Sequence, residues 1–245
     1  MSDSELREIV VTVAAPVEDV WRALREPAAI RQWFGWDYVN MYGLADLDAE
    51  IETIFGGAST SDEERTIRFR EDEMLRVEPR GAETIVRVTR PGPADGDWDG
   101  YYDDIAEGWL SFFHQLRFAL ERHPGEERRT LHLTAVAEDD RSGPIAALGL
   151  AGPERGAYEV ETPFGETLTG EVWFRGKNQV GVTAQSLGDG LVVILEEPGE
   201  PGSSRYMTAT LTTYGLGDAS FEGVRRRWAD WWTSYFAESG VHIRA

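Results

Sequence analysis

Residues 104–122, DIAEGWLSFFHQLRFALER, read as a long helix with apolar residues on two faces. At about 100° per residue, Ile105, Trp109, Phe112, Leu116, Ala119 and Leu120 fall on one stripe. Leu110 and Phe118 flank His114 on nearly the opposite side. A helix of this kind is covered twice, whereas a surface helix needs only one apolar stripe. The framing recurs: Glu107-Gly108 leads to Gly125, and Glu222-Gly223 leads at the same spacing to Gly240, through a segment carrying Trp228, Trp231, Trp232, Tyr235 and Phe236. The chain is therefore expected to be two related domains, residues 1–125 and 126–245, each closed by a long helix and packed together through the second face of the first.

Working outward, Leu6 to Val13 alternates like a strand with Ile9, Val11 and Val13 on its apolar side. Pro16 suits the start of a helix, with Glu18 and Asp19 at its positive end and Val17, Val20, Trp21 and Leu24 on one face. Pro27 ends it. A short helix over Ala28 to Trp33 runs into Trp33, Phe34, Trp36 and Tyr38. From Leu47 to Arg90 the period becomes two, predicting strands around Leu47–Phe55, Ile67–Phe69, Leu75–Val77 and Val86–Val88 with a charged outer face. In the second half, Thr130–Val136, Ala157–Thr162, Thr167–Arg175, Val180–Leu187, Leu191–Glu196 and Arg205–Tyr214 are strand candidates. Asp218 is expected to cap a helix over Ala219–Glu238, and the helical insert near Ile145 is shortened.

With 44 acidic against 24 basic residues the formal charge is −20, which opposes binding to nucleic acid phosphates and anionic lipid surfaces. The run Arg225-Arg226-Arg227 reads as a solvated helix face. With no cysteine, thiolate catalysis, thiolate metal sites and disulfides are excluded. There is no apolar run of membrane-spanning length and no leader-like N-terminus, so the protein is expected to be cytoplasmic, a monomer or homodimer. Lys177, the only lysine, sits in the turn-like RGKN and is a poor Schiff-base candidate.

VTVAAPVEDVWRALREPAAIRQWFG, FREDEMLRVEP, VRVTRPG and EGWLSFFHQL resemble the START-related helix-grip superfamily (SRPBCC), and within it the heat-shock-protein-90 ATPase activator-like branch. Pro16, Val20, Trp21, Trp33, Phe34, Gly108 and Trp109 carry the resemblance over residues 5–123. Over 128–240 it rests on element order, on LTTYG beside VTRPG and on the repeated Glu-Gly helix. The resemblance implies an α+β fold of two tandem helix-grip domains, each a curved antiparallel sheet wrapped on its long C-terminal helix, with a cavity between that in many members holds an apolar ligand. Fold does not fix function in this superfamily, which spans lipid carriers, hormone receptors, polyketide cyclases, hydrolases and cochaperones.

No HExxH, GxSxG, GxxxxGK[ST] or strand-following GxGxxG occurs, so metalloprotease, classical serine hydrolase, P-loop and Rossmann chemistry are poorly supported. No two of His114, His123, His132 and His242 are spaced i and i+4 as metal ligands, and neither metal nor organic cofactor is expected. Trp33, Phe34, Trp36, Trp109 and Phe113 are expected to wall a pocket for a small apolar or aromatic molecule in the first half, or to be core; large apolar side chains serve both. If the pocket is catalytic, in the manner of a cofactor-independent cyclase or dehydratase, Asp37, Tyr38 and His114 are the candidate proton carriers, His114 with a pKa near neutrality. A third reading is an acidic interaction module or cochaperone meeting a basic partner. The second half, richer in glycine, is expected to have lost its pocket and to serve as scaffold.

Overall fold

A computed structural model describes residues 7–41, 43–69, 73–90, 99–137, 142–152, 154–197, 204–236 and 238–242. The chain is α+β and divides into two compact units. The first comprises residues 1–35 and 40–125; the second comprises 126–245 together with the four residues 36–39. That short segment, Trp36 to Val39, was expected to stay with the first half.

In the first unit, β1 (Arg7–Val13) is followed by α1 (Val17–Ala23) and α2 (Pro27–Ile30). Next come β2 (Val39–Met41), β3 (Leu44–Asp46), α3 (Leu47–Phe55), β4 (Ser59–Ser61), β5 (Thr66–Arg68), β6 (Met74–Arg80), β7 (Glu83–Arg90) and the long α4 (Asp99–Arg122). The main sheet is antiparallel in the order β1-β7-β6-β5-β4, and β2 pairs with β3 apart from it. Alternation sets its faces: Val11, Val13, Leu75, Val77, Val86 and Val88 are buried, while Arg87 on the other face reaches Glu8 and Glu78 on its two neighbouring strands. Val20, Trp21 and Leu24 bury the apolar face of α1, and Pro16 precedes its first turn, where Glu18 and Asp19 meet the positive helix end.

Residues 47–55 form a helix, not the expected strand. Leu47 and Ile51, one turn apart, are the buried positions, and Asp46 accepts a hydrogen bond from the backbone N–H of Ala49 at 3.0 Å. Alternation in LDAEIETIF was therefore incidental. An N-cap carboxylate, an acidic first turn and good helix formers outweighed it. The helix expected over 104–122 begins earlier, at Asp99, and Gly125 beyond its end takes φ +79°, as helix-terminating glycines do.

The second unit contains β8 (Arg128–Ala137), α5 (Pro144–Ala147), β9 (Gly156–Glu161), β10 (Thr167–Arg175), β11 (Gln179–Ala184), β12 (Gly190–Glu196), β13 (Arg205–Tyr214), α6 (Asp218–Tyr235) and β14 (Glu238–His242). Its antiparallel sheet runs β14-β8-β13-β12-β11-β10-β9. Leu131, Leu133, Val180, Val182, Val192, Ile194 and Leu211 share a core with Val224, Trp228, Trp231, Trp232 and Phe236. Trp232 is tied to the sheet by its indole N–H, which donates to the Thr134 carbonyl at 2.8 Å.

Three expectations for this half need correction. Asp218 is the first residue of α6 rather than its cap: Gly217 occupies the cap position without a side-chain bond, and Asp218 instead pairs with Arg129 at 2.9 Å. Gly240 terminates no helix, because α6 ends at Tyr235 and Gly240 lies in β14 opposite Thr134. The segment 185–187, expected to extend β11, is a 3-10 turn closing on Gly188 in the left-handed region.

Candidate functional site

The first unit holds a continuous aromatic cluster built from four elements and their flanks. Trp33 and Phe34 follow α2, and the indole N–H of Trp33 donates to the Ala23 carbonyl at 2.9 Å, which orients the ring. Trp109, Phe112 and Phe113 come from α4, Phe55 from the end of α3 and Phe69 from the residue after β5. Phe34 lies 5.1 Å from Phe55 and 4.7 Å from Phe112. Phe69 bridges Phe55 at 5.4 Å and Trp109 at 5.5 Å, and Trp109 stacks on Phe113 at 5.2 Å. Mixed edge-to-face and stacked pairs of this kind hold ring orientations beyond what burial alone would fix.

Burial divides the cluster. Trp33, Phe34, Trp109 and Phe113 are buried, whereas Phe55, Phe69 and Phe112 are half-buried. The buried rings form a floor and the half-buried ones a rim. Of the five expected wall residues, Trp33, Phe34, Trp109 and Phe113 are thus brought together. The other three rings, Phe55, Phe69 and Phe112, were not among the expected wall residues. Phe55 was hidden by the strand reading of 47–55, but Phe112 stood with Trp109 on the helix stripe.

Trp36 is elsewhere. Its ring stacks on His132 in the second unit, with centroids 3.6 Å apart and planes 13° from parallel. His132 Nδ1 is 2.9 Å from the Thr210 hydroxyl on the next strand. Asp37 is held beside it: the Asp37 N–H donates to Thr130 Oγ1 at 2.6 Å, and the Thr130 hydroxyl and N–H donate to Asp37 Oδ2 at 3.0 and 3.2 Å. Left-handed residues bracket the segment, Gly35 at φ +58° and Asn40 at φ +56°. Gly35 also lacks room for a side chain, since a Cβ would come within 2.7 Å of Leu47 Cδ1. A glycine directly after Trp33-Phe34 was the signal that the chain turns away before Trp36.

The candidate proton carriers are divided between the two units. Asp37 and Tyr38 belong to the second unit and His114 to the first. Asp37 spends its carboxylate on Thr130, and Tyr38 is buried. Burial, with a smaller contribution from Arg117, pushes the His114 pKa down to about 3. Its imidazole is neutral at pH 7 and a weak base, contrary to the near-neutral value expected. Among the described residues, no group of three or more His, Asp or Glu side chains is placed to hold a metal ion, and no helix is long and apolar enough to cross a membrane.

The second unit, expected to lack a pocket, has a cavity of about 340 Å³ lined by Gly149, Leu150, Val160, Val172 and Val182 together with Ala157, Tyr158 and Glu159. It lies between the turn that follows α5 and strands β9, β10 and β11.

No family model and no curated protein sequence matches the chain. Among solved structures it is similar to DynU16, a protein of the dynemicin biosynthetic locus, at 18% identity over 96% of this chain and 97% of that one, with a TM-score of 0.34. It is similar to the di-domain ARO/CYC BexL from the BE-7585A biosynthetic pathway at 18% identity over 92% and 94%, with a TM-score of 0.38. The Aha1 of Colwellia psychrerythraea, solved as a dimer, aligns at 14% identity with 49% of this chain and 98% of its own, with a TM-score of 0.36. At these identities and TM-scores, nothing about ligand or chemistry passes from those proteins to this chain.

Proposed function

We propose that the first unit binds a small apolar or aromatic molecule on the ring cluster of Trp33, Phe34, Trp109 and Phe113, entering past Phe55, Phe69 and Phe112. The observation that supports this reading is the division of one ring network into a buried floor and a half-buried rim. A cluster serving only as core gains most by burying all its rings, at about 25 cal/mol per Å² of apolar surface, so three rings left half-open mark a surface with affinity still to offer. Stacking suits a flat aromatic guest, because the floor presents both ring faces and ring edges. A cyclase or dehydratase role is the weaker reading, since Asp37 is committed to Thr130 and His114 is a poor acid and a poor base at pH 7.

The test is a fluorescence titration with 2-naphthol. Saturable quenching is expected, and Phe112→Leu, which keeps an apolar side chain but removes a rim ring, should weaken binding about ten-fold while leaving the unfolding midpoint nearly unchanged. Saturable binding that Phe112→Leu and Phe55→Leu leave untouched would place the ligand elsewhere and end this reading.

A further inference from the structure

The cavity of the second unit is a built recess on the core side of the sheet. Its roof is the turn at Gly149 and Leu150, which closes on α5 through hydrogen bonds from Gly149 N–H to the Ala146 carbonyl and from Leu150 N–H to the Ile145 carbonyl. Its floor is Val160, Val172 and Val182, which share one face: Val172 is opposite Val182 across β10 and β11, and Val160 is opposite Leu168 across β9 and β10. A bulge decides what stands beside this floor. Between Val172 and Phe174 the register of β10 against β11 slips by one residue, so that Arg175 pairs with Val180. Val180 and Val182, two apart on β11, point the same way, and the bulge therefore brings Arg175 onto the face of Val172, where unbroken alternation would turn it away. From there the Arg175 guanidinium reaches the roof and donates to the Leu150 carbonyl at 2.8 Å.

The side chain of Glu159, out of phase with Tyr158 and Val160, stands on the other face of β9. The Tyr158 hydroxyl is committed to the Thr183 carbonyl at 2.7 Å. The charge at the recess is that of Arg175, whose side chain is only 18% exposed and whose Nε meets Glu154, 84% exposed, at 3.8 Å. That separation is beyond hydrogen-bond length, and so exposed a partner is screened by water and costs entropy to hold. A better-placed carboxylate could displace it. A guanidinium carries five N–H donors in a planar fork, enough to hold the Leu150 carbonyl and a carboxylate together. The formal charge of −20 opposes an anion at long range, but salt screens charges beyond about 10 Å and leaves the contact at Arg175 to decide. An ammonium guest would be repelled there, and a neutral hydrocarbon would leave the cation unused. Around it the lining is aliphatic, with Leu150, Val160, Val172 and Val182, and the volume, at the low end for ligand sites, limits the guest's body to about one ring. We propose that the second unit binds a small aliphatic carboxylate, with its hydrocarbon body against these four side chains and its carboxylate on Arg175 in place of Glu154.

The recess and the ring cluster belong to different units, and methyl NMR on the full chain separates the two. The probes are cyclohexylacetate and the matched alcohol 2-cyclohexylethanol at pH 7, where the acid is ionised, read on the methyl signals of Leu150, Val160, Val172 and Val182. Both should shift these signals saturably, the carboxylate binding about ten-fold more tightly through charge-assisted hydrogen bonds. Arg175→Gln, which keeps a donor for the Leu150 carbonyl but carries no charge, should remove the preference for the carboxylate. Glu154→Gln, an exposed substitution, should tighten the carboxylate about two-fold and leave the alcohol unchanged. The proposal is overturned if neither probe moves these signals, if the two probes bind equally, or if the preference for the carboxylate survives Arg175→Gln. Should Arg175→Gln fail to fold, Glu154→Gln decides, and an unchanged carboxylate affinity in that variant overturns the proposal.

Discussion

Asp37 and the Thr130 hydroxyl hold each other in both directions: Thr130 Oγ1 accepts from the Asp37 backbone N–H at 2.6 Å and donates to Asp37 Oδ2 at 3.0 Å. The pair joins residues 93 positions apart in sequence and fastens the segment 36–39 to β8 in the second unit. Beside it, Trp36 covers His132 face to face. Asp37, a candidate proton carrier by sequence, thus ties its segment to β8.

Thr130→Val keeps the shape at a buried position and removes both hydroxyl bonds. Leaving a partly buried carboxylate with fewer donors should cost about 1–3 kcal/mol. Asp37→Ala should cost a similar amount, and the double variant little more than either single one. Urea midpoints of the four proteins measure the coupling; strictly additive losses would show that the two residues do not act together.

His114 gives stability a pH dependence whose sign follows from its depressed pKa. Above the ordinary histidine value of about 6.5 the imidazole is neutral in both folded and unfolded chains. As pH falls from there toward 3, the unfolded chain takes up a proton that the folded one refuses, and stability declines. By pH 4.5 the loss assignable to this residue should be about 1–2 kcal/mol after allowance for its partial exposure. Denaturation at pH 7.5 and 4.5 should therefore show a smaller acid loss in His114→Gln than in the parent. Equal losses would mean that the histidine titrates normally in the fold.

Trp109 is buried on the floor of the ring cluster, 5.2 Å from Phe113. Trp109→Ala should cost about 3–5 kcal/mol, because the neighbouring rings cannot collapse fully into the space. Phe118, also buried on α4, meets His123 at 5.2 Å instead. We expect Phe118→Ala to loosen the packing around His123 at the end of α4 and spare the first sheet. Hydrogen exchange on both variants distinguishes the two roles, and identical patterns of lost protection would show that α4 has one buried environment rather than two.

Asp46→Ala should destabilise α3 by about 1 kcal/mol through loss of its N-cap bond to Ala49. Amide exchange at residues 49–52 would report it; unchanged protection there would mean the cap contributes nothing.

Strands β6 and β7 were legible because they are long and one-sided. There Leu75 and Val77 alternate with Arg76, and Val86 and Val88 with Arg87, so period and burial agree. Residues 47–55 were misread because Leu47, Ala49, Ile51, Thr53 and Phe55 satisfy a two-residue period while Leu47, Ile51 and Phe55 also satisfy a helical one. Pattern alone does not separate these, and the Asp46 cap does. In the ring cluster, Trp109 and Phe112 lie on the apolar stripe that the sequence of α4 shows, and Trp33 and Phe34 stand out as an aromatic run after α2. Trp36 and Asp37 group with the second unit, across a glycine that turns the chain, which nearness in sequence to Trp33 and Phe34 does not reveal. Partners such as Thr130 and His132 were invisible, since long-range pairings leave no local pattern.

The central claim is that the half-open ring cluster of the first unit receives an aromatic guest. Its most direct measurement is a crystal structure of the protein soaked with 6-bromo-2-naphthol, the bromine located by its anomalous scattering. The account predicts a bromine peak within contact distance of Phe34, Phe55 and Phe112, with the naphthol ring stacked or edge-on against them. A guest bound only at other surfaces, with the ring cluster closed against it at saturating concentration, would contradict it.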